Sequence, residues 1–497
     1  MSFEELWPEY EKKMKAGGKE SESAAAISAF RYNFKVLTSG ESTMIPESQL
    51  EPVATLPDLE ALKITEDPGL LKETVVLKLN GGLGTGMGLD KAKSLLQVTD
   101  GNSFLDLIAK QVEWMKKTYN MPDLKFMLMN SFSTSADTLA ALGKYSALGT
   151  GDDLEFVQNK APKVTAKGLK PAEWPADPSH EWCPPGHGDL YPAMLGSGTL
   201  DRLLAKGVKY MFVSNSDNLG ATLDLKLLTH FAQSGAPFLM EVAARTDADK
   251  KGGHLATLKG GGLTLRESAQ CPKEDEKAFQ DTSKYRYFNT NNLWVHLGKL
   301  KELFDQNAGA LPLPVMKNDK TVDPRDKAST KVIQLETAMG AAISCFAGAQ
   351  AIQIPRSRFA PVKKTDDLLA LRSDAYRLTE DFRIELIPER NGVPPLVKLD
   401  DMYKFVDRME TLIPRGPPSL KDCVSLKIEG PMEFDPGAVI QGKVKSKVQN
   451  RGGSLVRQIR ILTGRCWMVV FRNRFCPFTS GTKVIAPRVY RNEIVDL

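Results

Sequence analysis

Thr74-Val75-Val76-Leu77-Lys78-Leu79-Asn80-Gly81-Gly82-Leu83-Gly84-Thr85-Gly86-Met87-Gly88, with Lys93-Ser94 close behind, is the stretch whose reading decides the fold. Thr74 to Leu79 form a short β-rich run, largely buried by composition. Five glycines follow at once, and a single structural turn does not need five. Glycine lets backbone N–H groups approach a ligand closely. A turn rich in N–H donors suits phosphate, and Lys93 can then reach a phosphate oxygen. Two familiar phosphate motifs do not fit. A Walker loop requires Gly-Lys-Ser/Thr after its second glycine, and here Ala92-Lys93-Ser94 comes too late. A GxGxxG fingerprint fails because Met87 stands where glycine is required.

Outward from this loop, strand-like and helix-like segments alternate. Phe104 to Lys117 reads as a helix and Phe126-Met127-Leu128-Met129 as the next strand. Tyr210–Val213 and Phe238–Val242 are further apolar runs, with a helical stretch from Leu223 to Phe231 between them. Such alternation predicts an α/β domain with a largely parallel sheet, which binds ligands beyond the carboxyl ends of its strands. Upstream, Phe3, Leu6, Tyr10 and Met14 recur at helical spacing. Ala24, Ile27 and Phe30 continue the pattern after a Gly17-Gly18 break. Six prolines between Pro162 and Pro185 predict a stiff surface excursion rather than a core element.

The last quarter has another rhythm. Leu426, Met432, Ala438 and Val444 are spaced by six, as are Ile428, Phe434 and Ile440, with Gly430, Pro436 and Gly442 at turn positions. Inward aliphatics at a six-residue period with Gly/Pro corners predict a β-helix, with an ordinary antiparallel cluster as the competing arrangement. The repeat fades after Gln449. The expected divisions are 1–70 (helical or irregular), 71–385 (the α/β domain) and 386–497 (the β-helix with an irregular basic tail).

The chain's 497 residues, 42% hydrophobic and 26% charged, suit two or three domains and exclude a disordered, collagenous or disulfide-scaffold protein. No apolar run approaches the length of a membrane span, and the acidic start lacks a signal-peptide pattern. The six cysteines form no CxxC pair, as expected of reduced, structural thiols. A soluble cytoplasmic protein with no membrane partner is expected. Residues 441–497 carry 12 Lys/Arg against 2 Asp/Glu, whereas the first 440 carry 54 against 59. The main body therefore has no general nucleic-acid face.

Leu79-Asn80-Gly81-Gly82-Leu83-Gly84-Thr85, with the trailing lysine, resembles the nucleotide-binding motif of the UDP-glucose pyrophosphorylases. Five more segments are similar to motifs of that family in consistent order. They are Pro184–Asp189, Ser214–Gly220, Lys251–His254, Phe288–Trp294 and Arg356–Lys363. The resemblance implies a Rossmann-like nucleotidyltransferase (nucleotide-diphospho-sugar transferase) fold with a C-terminal left-handed β-helix. It implies Mg2+-assisted uridylyl transfer from UTP to glucose 1-phosphate, giving UDP-glucose and pyrophosphate by direct displacement.

By that resemblance, Lys93, Lys363 and His187 are catalytic. Leu79, Asn80, Gly81, Gly82, Lys93, Gln158, Gly186, Asn215 and Asp217 hold the nucleotide, and Asp217 holds the metal. His187, Gly253, Glu267, Asn289, Asn291 and Asn292 meet the sugar. Gln158 offers uracil both a donor and an acceptor from one amide. Strand alternation puts Asn289 and Asn291 on one face and Asn292, the favoured sugar contact, on the other. His254 is a weaker sugar candidate. The sugar phosphate is itself an anionic nucleophile, so the expected catalysis is positioning and charge stabilisation. The C-terminal domain is the expected surface for any homo-oligomer. The competing functions are a broader UDP-sugar pyrophosphorylase, an enzyme for N-acetylhexosamine 1-phosphate and a non-catalytic sensor on the same fold. The presence of Lys93, Asp217 and Lys363 argues against the sensor.

Overall fold

The computed structural model describes residues 2–16, 21–246 and 249–447, together with the backbone of four short strands, Gln458–Ile461, Lys483–Ile485, Val489–Arg491 and Glu493–Asp496. The Gly17-Gly18 break, and the course of the basic tail apart from those strands, lie outside the described residues.

The Thr74–Asn80 strand is buried at all seven positions, as its composition predicts, and it forms the middle of a ten-stranded sheet. Tyr210–Asn215 lies parallel to it on one side and Lys125–Asn130 on the other, with Glu155–Val157 beyond. All three long parallel strands end in asparagine (Asn80, Asn130 and Asn215) along one edge. The glycine loop leaves the sheet there, so the polar motifs gather at the carboxyl ends of the strands.

The sheet is mixed, not largely parallel. Tyr287–His296 runs antiparallel to both Tyr210–Asn215 and Phe238–Ala244. His254–Leu258 and Leu263–Arg266 extend the antiparallel side, and Leu50–Pro52 closes its edge. The helix Phe104–Thr118 begins at a Ser103–Asp106 capping box and buries Phe104, Leu107, Ile108 and Val112 on the sheet, as expected of an amphipathic helix.

The helices Phe3–Lys15 and Ala24–Ser39 pair through an aromatic cluster in which Tyr10 and Phe34 lie 4.4 Å apart between centroids. This pair covers the proline-rich excursion, which corrects its reading as surface. Ala161, Val164, Ala172 and Cys183 are buried there. Tyr10 Oη and Lys13 Nζ donate to the carbonyls of Leu169 and Ala172. The prolines stiffen the backbone, while the small apolar residues between them supply the packing.

In the C-terminal region all seven repeat positions are buried. Cys423–Glu429 and Val439–Lys447 pair in parallel, with Leu426 opposite Val444, three six-residue repeats further on. One apolar cluster runs from Leu59 through Val76 and Phe104 to Ile428, Ile440 and Val444. The C-terminal residues therefore share one continuous apolar core with the α/β sheet. No helix among the described residues is long and apolar enough to cross a membrane.

The repeat is tested by comparing neighbours. Ile428→Ala should cost about 2–5 kcal/mol and lower the thermal midpoint. Lys427→Ala, one residue away on the exposed face, should leave it nearly unchanged.

Candidate active site

The glycine loop folds back on itself. Gly82 O accepts the backbone N–H of Lys93 at 3.1 Å, and Gly81 O accepts the Ser131 hydroxyl at 3.0 Å. Both glycine carbonyls are thus engaged within the protein. The Asn80 side chain is structural. It is 2% exposed, and its amide donates to Asn130 Oδ1 and Thr138 Oγ1.

Beside the loop is a cavity of about 410 Å³, lined in part by Gly81, Leu83, Ser131, Gln158, Trp182 and Pro184. Gln158 donates Nε2 to Gly186 O at 2.9 Å. One of its amide protons is therefore already used, leaving Oε1 and the second N–H for a base. Gly186 is held at φ +82°, and a Cβ there would come within 2.5 Å of Thr337 O, so only glycine fits.

His187 follows. Its Nδ1 accepts the Met339 N–H at 3.0 Å, and burial pulls its pKa down to about 4. The imidazole is therefore neutral with its proton on Nε2, a fixed donor.

Two proposed nucleotide groups 124 residues apart in sequence meet directly. Lys93 Nζ lies 2.7 Å from Asp217 Oδ2, and the pair is part-buried at 14% and 24% side-chain exposure. Asp217 O accepts the Val362 N–H at 3.1 Å, so the residue before the exposed Lys363 is bonded to the Asp217 backbone. Asn215 ends its strand opposite Leu79. Glu267 is raised in pKa by burial, an effect opposed by the Lys363 charge. Gly253 lies against Glu267, and a Cβ there would come within 2.5 Å of Oε2.

A bulge interrupts the strand at the asparagines but leaves Asn292 on the face opposite Asn289. Glu241 pairs with Asn292 and Val242 with Asn289, so Thr290 and Asn291 bulge out, and Asn291 takes φ +59°. Asn289 and Asn291 are half-buried and bonded to each other, Nδ2 to Oδ1 at 2.8 Å. Asn292 is 0% exposed and donates to Glu241 Oε2 and to the Arg358 carbonyl. The structure thus moves Asn292 out of the sugar-facing set. His254 is also a core residue, stacked on Tyr285 at 3.9 Å.

Sequence reasoning missed the knot that Asn292 belongs to. Arg358 grips Glu241 with two hydrogen bonds, of 2.8 and 2.9 Å, and Trp294 Nε1 donates to the same carboxylate. Asn218 Oδ1 accepts from Ala360 N and Gly220 N, and its Nδ2 donates to Arg358 O. Glu241 is 0% and Arg358 7% exposed. Lys78, 2% exposed, donates to Ser214 Oγ at 2.7 Å, and burial lowers its pKa to about 7. A lone lysine inside an apolar strand was the signal that a buried polar system lay beneath.

A parallel-centred α/β sheet with a glycine loop, two lysines and one aspartate at its carboxyl edge defines a phosphate-handling nucleotide site. Residues 27–441 match the family model described as UTP–glucose-1-phosphate uridylyltransferase, and the chain belongs to that family. It is 41% identical to the UTP–glucose-1-phosphate uridylyltransferase of Solanum tuberosum, over 82% of this chain and 83% of that one. It is also 41% identical to that of Saccharomyces cerevisiae, over 80% of each. Among solved structures, the UDP-glucose pyrophosphorylase of Leishmania major superposes with a TM-score of 0.87 at 43% identity, covering 99% of each chain. A variant of that enzyme in complex with UDP-glucose gives 0.88 at 43% identity, covering 100% of each.

Arg358→Met should destabilise the fold by about 3–5 kcal/mol, the cost of leaving a buried carboxylate without its partner. The same change should cost clearly less in a Glu241→Gln background. Urea unfolding of the double-mutant cycle measures the difference.

Proposed function

We propose that this protein is a UTP–glucose-1-phosphate uridylyltransferase, joining glucose 1-phosphate to the α-phosphate of UTP and releasing pyrophosphate. The observation that carries this reading is the convergence of Lys93, Asp217 and the Lys363 segment beside the glycine loop, in a chain of that family. Family membership supports the substrates. The roles given to individual residues rest on their chemistry and placement.

The N–H groups of Gly81 and Gly82 and the amide of Gln158 hold uracil, with Leu79, Gly186 and Asn215 around the nucleotide. His187 Nε2 donates to an oxygen of the sugar phosphate. Gly253, Glu267, Asn289 and Asn291 form the sugar side. The nucleophile is already an anion, so no general base is required. The obstacle is repulsion between two anions and charge gathering at the α-phosphorus. A lysine about 4 Å from a phosphate contributes roughly 4 kcal/mol of attraction at an effective dielectric near 20, before desolvation. Lys93 and Lys363 are the two cations that supply that attraction in this reading.

Among the described residues no three His, Cys, Asp or Glu cluster as metal ligands. A single carboxylate suits Mg2+, which takes one or two carboxylates and completes its shell with phosphate oxygens and water. Asp217 would hold the ion, which when bound would draw charge from the phosphates. Lys93, paired with Asp217, would contribute a second positive charge to the phosphates. We further propose that the C-terminal coil is a left-handed β-helix, supported by the buried six-residue repeat and its parallel register.

The direct test is pyrophosphate release with UTP, Mg2+ and a panel of glucose, galactose and N-acetylglucosamine 1-phosphates. Glucose 1-phosphate should dominate, and activity should vanish on chelation. Failure with every sugar phosphate would overturn the reading. Lys363→Ala should lower kcat on the order of 10²–10³-fold while changing the KM for UTP far less. Unchanged turnover would remove Lys363 from the mechanism.

A further inference from the structure

A carboxylate outside the substrate-facing set closes the nucleotide side of the site. Asp189 is 3% exposed and ends the turn that carries His187. Both its oxygens are taken by one residue. Oδ2 accepts the Asn159 N–H at 2.7 Å, and Oδ1 accepts Asn159 Nδ2 at 2.9 Å. Gln158, the preceding residue, donates to Gly186 O, which also accepts the N–H of Asp189 at 3.2 Å. The turns 158–159 and 186–189 therefore form a clasp fastened at both ends, with His187 between them. Two donors from one residue require two acceptors side by side, and among side chains only an ionised carboxylate presents two acceptor oxygens.

We infer that Asp189 is a positioning residue for nucleotide recognition: its ionised carboxylate holds Asn159 and thereby sets Gln158 against the bound nucleotide. This rests on the reading of Gln158 as a uracil contact. The charged surroundings favour a titratable clasp. Burial pushes the Asp189 pKa up to about 7, and among the described residues the charge of Glu22 pushes the same way. The backbone N–H of Lys160 donates to Glu22, while its Nζ lies over the Phe132 ring at 5.0 Å. His187, in the same turn, stays neutral throughout this range. Among the described residues no Lys or Arg pairs with Asp189. The sign follows from the raised pKa. Above about pH 7 the carboxylate is ionised and accepts both bonds. Below it, the added proton turns one acceptor into a donor facing an N–H, and the clasp loosens.

UDP-glucose is the suitable probe, because its doubly substituted diphosphate has no group that titrates between pH 6 and 8. Its binding to the full chain should be followed by calorimetry in buffers of different ionisation enthalpy. The wild-type Kd should rise about tenfold from pH 8 to pH 6, with proton release on binding near pH 7. Asp189→Asn should bind more weakly at pH 8 and show a flat profile. Asn159→Ala, which removes one of the two bonds, should move the midpoint to higher pH. That variant and the wild type decide the matter if Asp189→Asn does not fold. A pH-independent wild-type Kd would overturn the proposal. So would a slope retained in Asp189→Asn, which would pass the effect to another group such as Lys78. Absence of UDP-glucose binding at pH 8 would overturn the functional reading instead.

Discussion

The Glu241 carboxylate receives Arg358 through two hydrogen bonds, Trp294 through its indole and Asn292 through its amide, with no exposed surface of its own. Isolated, an ionised carboxylate in that position would cost several kcal/mol. Fully partnered, it becomes the fixed point from which three segments are hung. Arg358 brings the segment that leads to Lys363. Asn292 brings the bulged end of the sugar-side strand. Asn218, bonded to Arg358 O, brings the segment of Asp217. An apolar core of equal volume could hold these segments together but could not specify their register. Charge-assisted, bidentate contacts are directional, and the site is made of loops whose relative placement decides the chemistry.

The same logic runs at lower strength through Lys93 and Asp217. Their pair is part-exposed, so solvent screens it and its contribution to stability is small. Its value lies in being exchangeable. Before substrates arrive, each charge neutralises the other, and neither stands uncompensated in a half-closed cleft. An incoming phosphate competes with the carboxylate for the lysine. The buried knot thus supplies permanence and the part-exposed pair supplies responsiveness, with the difference set by burial.

What the sequence made legible follows from how locally each feature is encoded. The Thr74–Asn80 strand and its loop were readable because a buried strand and a run of glycines leave contiguous signals. The inward face of the C-terminal repeat was readable because seven positions keep one period, and all seven are buried. The failures lie where tertiary geometry overrides local pattern. Alternation separated Asn292 from Asn289, and the two-residue bulge opposite the Glu241–Val242 step keeps that separation; what the strand pattern did not tell was which of the two faces meets the core. The proline excursion looked like surface because its burial depends on aromatic side chains about 150 residues earlier, as in the bond from Tyr10 to Leu169. Arg358 and Asn218 sat inside quoted motifs, yet a sequence does not distinguish a polar residue that meets substrate from one that meets another polar residue.

That distinction matters most where the C-terminal region touches the glycine loop. Gly88 stands at φ +76°, and a Cβ there would come within 3.0 Å of the Phe405 ring. The loop is thus fitted to the aromatic residue that precedes the Val406–Leu412 helix. Val406 and Met409 of that helix belong to the same apolar cluster as Val76 and Phe104 beneath the loop. Phe405 itself is 43% exposed, so its contact with Gly88 is a matter of fit at the surface, while Val406 and Met409 carry the burial. The C-terminal region is consequently not a passive appendage to an independent nucleotide site, because the conformation of the glycine loop and the packing of this helix rest on shared contacts.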